Sequence, residues 1–119
     1  MGKVYITQET VRRDEHGQLR PLMNFKPAME YGELVVCLSS GALAFSPVPT
    51  VTQLKEVLHN FGENDYLLAV GDPSVIAIAS AIVSERNGGR FKLLKWDKES
   101  KMYIVVPIAI NHRKREVET

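Results

Sequence analysis

The chain has 119 residues, of which 45% are hydrophobic and 24% charged, and its formal net charge is +1. Those values describe one globular domain, long enough to bury a core without staples, and give no global electrostatic reason for nucleic-acid or anionic-membrane binding. Cys37 is the only cysteine, which excludes an intramolecular disulfide and a cysteine-based metal site.

Residues 3–10 alternate, with Val4 and Ile6 on one side and Tyr5 and Thr7 on the other, which predicts a strand. The polar stretch 12–20 centres on Asp14-Glu15-His16-Gly17 and predicts a hairpin tip between Val11 and Leu19. Residues 20–32 hold Pro21, Pro27 and Gly32 among Met23, Phe25 and Met29, and read as a packed irregular segment with at most a turn of helix. A strand is expected over 33–39, with Cys37 as a small buried hydrophobe. A shorter strand over 42–46 follows a Ser40-Gly41 turn, and Pro47 and Pro49 are expected to break regular structure.

Residues 50–62 form a well-punctuated helix pattern. Thr50 and Gln53 fit a capping box. Val51, Leu54, Val57, Leu58 and Phe61 share one face, and Gly62 stands where a C-terminal cap belongs. A strand over 66–70 then meets Gly71-Asp72-Pro73, a helix over 73–86, an Asn87-Gly88-Gly89 stop and a strand over 91–96. After a polar turn at 97–101, a last strand covers 102–110. Pro107 lacks an N–H, which places that strand at a sheet edge or a bulge. The expected fold class is α/β. One mixed sheet carries two helices, a right-handed β-α-β unit over 66–96 and antiparallel hairpins. The domain covers 1–110, followed by a mobile charged tail over 111–119.

The Gly-Asp-Pro junction has two readings. Asp72 is a favoured N-cap and Pro73 a favoured first helical residue, so helix initiation alone accounts for the junction. The alternative is a small-molecule or nucleotide site at the carboxyl end of strand 66–70, with Asp72, Ser74, Asn87 and Arg90 as ligands. Asp72 argues against a bare phosphate there, and no phosphate-binding glycine motif is present.

The helix over 73–86 is apolar nearly all round and needs cover on both sides. Ser74, Ala77, Ala81 and Ser84 form a small-residue stripe that suits a two-fold homodimer interface; the competing reading is that residues 20–32 cover it. Arg90, Lys92 and Lys95 alternate with Phe91, Leu93, Leu94 and Trp96. That pattern could bind nucleic acid, but Asp97 and Glu99 dilute it, and a half-buried strand with Trp96 packed beside Tyr103 is the plainer reading. The basic run His112-Arg113-Lys114-Arg115 is diluted by Glu116 and Glu118. His16, His59 and His112 do not have metal-ligand spacing. No catalytic residue, cofactor or metal is expected.

The runs YLLAVGDPSVIAIASAI and NGGRFKLLKWDKESKMYIVV together resemble small proteins encoded by tailed bacteriophages, notably T4-like phages of marine bacteria. The likeness covers residues 61–110 and, weakly, the strand near 3–6; it implies a phage origin and carries over no catalytic residues. The expected function is that of a non-catalytic accessory protein, self-associating and binding a host or phage macromolecule during infection. A small-molecule site is the alternative, and nucleic-acid binding a second. MGKVYITQET shows no signal region and no run reaches the about 18 apolar residues of a membrane span, so host cytoplasm is the expected compartment.

Overall fold

The computed structural model describes residues 2–39 and 47–110. Its elements are β1 (Lys3–Ile6), β2 (Val11–Arg13), β3 (Leu19–Pro21), a 3-10 helix (Lys26–Tyr31), β4 (Glu33–Val36), α1 (Pro47–Val57), β5 (Tyr66–Leu68), α2 (Pro73–Arg86), β6 (Arg90–Asp97) and β7 (Met102–Ala109). Five strands make one mixed sheet in the order β4-β1-β5-β6-β7, and among the described residues β2 and β3 pair only with each other. The first four are mutually parallel, and β7 runs antiparallel beside β6. The fold class is therefore α/β, as the alternation of apolar strands and helices predicts.

Alternation along β1 sorts the core into two layers. Tyr5 joins Leu54, Leu58, Phe61, Leu67, Val75, Ala79 and Val83 under the two helices. Val4 and Ile6 join Ala28, Leu68, Leu94 and Tyr103 on the opposite face, with Phe25 and Tyr31 packed against them. Both helices thus share one face, and residues around the 3-10 helix cover the other. Segment 20–32 consequently does not cover α2, contrary to one of the two sequence readings. Each fully buried Leu or Val adds about 1.5–3 kcal/mol, so a second apolar sheet face cannot be left bare.

The helix expected over 50–62 is Pro47–Val57 instead. Pro47 and Pro49 lie in its first turn, where the missing N–H groups have no intrahelical partner to lose. Thr50 is inside the helix and buried, so it is not an N-cap. Beyond Val57 the chain tightens through His59 N–H to Glu56 O (3.3 Å) and Phe61 N–H to Leu58 O (3.1 Å). Gly62 stands past that turn, its N–H held by Asp65 Oδ2 at 2.8 Å. Strands β1, β4 and β5 are shorter than their apolar runs suggest. The strand expected over 42–46 and the tail over 111–119 lie outside the described residues.

Strand β7 is an edge, as Pro107 predicts, and its exposed side is blunted twice. Ile110 N–H donates to Gly89 O at 2.8 Å. Alternation then turns the backbone groups of Tyr103, Val105, Pro107 and Ala109 away from β6. Pro107 has no N–H to offer there, and the Tyr31 hydroxyl donates to the Tyr103 carbonyl at 2.9 Å. The strand needs this protection, because Met102, Ile104 and Val105 are large, apolar and exposed, and such edges template further pairing. Replacing Pro107 with Val restores the missing donor. The expected outcome is increased self-association by light scattering, with the melting temperature changed little.

Candidate functional site

In a sheet of this order, the crevice that commonly takes ligands opens outside the carboxyl ends of β1 and β5, where the chain reverses its direction of strand addition. Here that crevice is stitched shut by two buried polar residues, Thr7 and Gln8. The Thr7 hydroxyl accepts from Val70 N–H at 2.8 Å and contacts the Val70 carbonyl oxygen, while Thr7 N–H donates to Leu68 O at 3.1 Å. Gln8 Oε1 accepts from Asp72 N–H at 2.8 Å, and its Nε2 donates to Ser39 O at 3.2 Å. The loops after β1, β4 and β5 are thereby tied together.

Gly71 is required by this closure. Its φ is +100°, and a Cβ there would lie 2.5 Å from Gln8 Oε1. Asp72 accepts from Ser74 N–H at 2.7 Å, and Ile76 N–H donates to Asp72 O at 3.0 Å as the helix begins. The carboxylate therefore occupies the position an anion would take at the N-terminus of α2.

The four residues considered as ligands do not meet. Asp72 and Ser74 stand at the start of α2, whereas Asn87 and Arg90 stand beyond its end, a helix of 14 residues away, or about 20 Å at 1.5 Å per residue. Asn87 is the C-cap of α2. Its Nδ2 donates to Val83 O at 2.9 Å and Phe61 O at 3.4 Å. Arg90 is exposed near Glu63, Asn64 and Lys92. Of the proposed interface residues, Ser74, Ala77 and Ala81 are exposed and Ser84 is half-buried. The bulky Val75, Ile82 and Val83 turn inward, so the outward row of α2 is small rather than strongly apolar.

The aromatic residues of the basic strand are occupied by packing. Trp96 meets Tyr103 edge-on with ring centroids 4.9 Å apart, and Phe91 packs against the helix-side core. Lys92 Nζ lies 4.2 Å from the centre of the Tyr66 ring. Burial pushes the Cys37 thiol up to about 12, which leaves it unreactive. Among the described residues, no group of three or more His, Cys, Asp or Glu side chains could hold a metal ion, and no helix is long and apolar enough to cross a membrane.

Two features escape a reading of local sequence. One is a cavity of about 470 Å³ beside the carboxyl ends of β5 and β6, lined by residues that include Met23, Leu68, Val70, Trp96 and Tyr103. Trp96 stands out in the sequence, but nothing local shows that Met23 lines the same cavity. The other is the β2–β3 hairpin. Its strand residues are exposed except half-buried Val11, and Arg12 pairs directly opposite Arg20. Asp14 organises the tip. It accepts from His16 N–H, Gln18 N–H and Arg20 Nε, each at 2.9 Å. The Arg20 guanidinium, followed by the Gln18 N–H, holds the Asp14 carboxyl below its ordinary value.

Thr7→Val removes the hydroxyl and leaves a Val70 N–H without its partner in the closed crevice. A loss of about 1–3 kcal/mol is expected in urea unfolding, with Thr7→Ser losing less because its hydroxyl persists.

No curated protein and no solved structure matches the chain significantly. A family match nonetheless spans almost all of the fold, β1 through β7, over residues 2–110. The chain belongs to the phage Pam3 gp32-like protein family.

Proposed function

We propose that this phage protein is a non-catalytic accessory factor of a tailed, T4-like phage, acting in the cytoplasm of the infected host. In this reading it binds an acidic surface of a host or phage protein through the β2–β3 hairpin. The supporting observation is the hairpin itself. A two-stranded ribbon without a core is marginal on its own, and like charges directly opposite one another destabilise a strand pair. Asp14 neutralises Arg20 at 2.9 Å, whereas Arg12 has no ion-pair partner among the described residues. Exposed Leu19 and Leu22 flank these cations, a mixture of charge and apolar anchor that suits a protein partner. Nucleic-acid binding has less support, because Phe91 packs against the helix-side core and Trp96 packs edge-on against Tyr103, so β6 offers no open row of aromatic rings for successive bases.

Self-association across α2 belongs to the same proposal. It would use Ser74, Ala77 and Ala81, whose small side chains permit close helix approach.

The test is a pull-down from infected host lysate with the wild-type chain and the Arg12→Glu/Arg13→Glu variant. The expected outcome is a specific partner recovered at stoichiometric yield by wild type and lost at least about ten-fold by the variant, with equal melting temperatures. Failure to recover a partner, or equal recovery by both chains, overturns the role of the hairpin. Sedimentation at monomer mass at high micromolar concentration removes the dimer.

A further inference from the structure

The Thr7 and Gln8 bonds that close the β1–β5 crevice also draw the chain after β5 toward β1 and β4. Strand β5 pairs with β6 only at Leu67↔Leu93 and Leu68↔Leu94. Beyond that point β6 continues through Asp97 beside β7 alone. The sheet therefore parts between the carboxyl ends of β5 and β6, and the cavity of about 470 Å³ lies at the parting. Its volume is in the range of small-molecule sites.

The chemistry of the walls is selective. Trp96, Met23 and Tyr103 supply flat and deformable apolar surface, and a methionine wall adapts to an aromatic guest. Among the described residues, Lys95 and Lys98 are the charged lining residues, and no Asp or Glu lines the cavity. Both lysines are exposed, so their ammonium groups stay hydrated at the rim while the interior is apolar. The Tyr103 hydroxyl is buried with no hydrogen-bond partner among the described residues, so Tyr103 contributes its ring to the wall and not an accessible polar group. A neutral apolar guest leaves the lysines unused, and a phosphate-rich ligand finds the N–H groups of Val70, Asp72 and Ser74 already taken by Thr7, Gln8 and Asp72.

We infer that this cavity is a binding site for a small aromatic acid, with the ring between Trp96 and Met23 and the carboxylate toward Lys95 and Lys98. The site lies one strand away from the crevice that strand order alone selects. It is independent of the hairpin, so either assignment can fail without the other.

Trp96 is the only tryptophan of the chain, which makes its emission a direct reporter. The probe is 4-bromophenylacetate, whose bromine quenches indole only at contact, and the comparison compound is neutral 4-bromobenzyl alcohol. Saturable quenching by the acid is expected at one molecule per chain, at least five-fold tighter than by the alcohol. In the Lys95→Gln/Lys98→Gln variant the acid should weaken at least five-fold and the alcohol should be unchanged. Melting curves of the two proteins should coincide, because both lysines are exposed. Quenching that rises linearly without saturation overturns the site. Equal affinity for acid and alcohol, or an acid affinity unchanged in the variant, overturns its anion preference and with it the proposed ligand class.

Discussion

Two side chains at the end of the first strand hold the carboxyl end of the sheet in place. Thr7 and Gln8 are buried and spend their hydrogen-bonding groups on the loops that follow β4 and β5. A buried polar group is stable only when it is satisfied, so these contacts specify one relative position for three loops. The glycine at 71, the N-cap at 72 and the start of α2 all follow from that position. The gap between β5 and β6 is its counterpart, since a chain pulled toward one neighbour leaves the other.

The same sheet has two unlike faces. Two helices cover one, and a short irregular segment with a 3-10 helix covers the other. The thin cover explains why the cavity lies on that side. A helix would have laid a continuous row of side chains over the ends of β6 and β7. The shorter segment places Met23 beside the opening and Tyr31 against the Tyr103 carbonyl. The hairpin β2–β3 leaves the sheet altogether and is ordered mainly by the hydrogen bonds of Asp14. A carboxylate that accepts three such bonds replaces, locally, the core the ribbon lacks.

Legibility in the sequence followed the range of the interactions. Asp72 and Pro73 announce the start of α2 because capping involves neighbours two residues apart. Pro107 announces an edge because a missing N–H can be tolerated in few places. Thr50 misled for a related reason: its spacing to Gln53 imitates a capping box, while the prolines before it are equally suited to a first turn. Gln8 carried no readable signal, since its partners lie 31 and 64 residues away. Asn87 and Arg90 are close in sequence to the end of α2, yet a crossover helix necessarily delivers them to the end of the sheet opposite Asp72.

The sequence by itself determined the α/β class, the span of α2, the final hairpin and the absence of a disulfide, because periodicity, caps and turn residues act over a few positions. Tertiary structure alone decided which segment covers each sheet face, that the small-residue row of α2 points outward, and where the sheet parts. Those outcomes depend on strand order and on hydrogen bonds between distant residues. The Gly-Asp-Pro turn shows the division most clearly. Local chemistry explains it as a helix start whose first residue has a positive φ, and only the tertiary structure shows that Gln8 also fills the space a side chain at 71 would need.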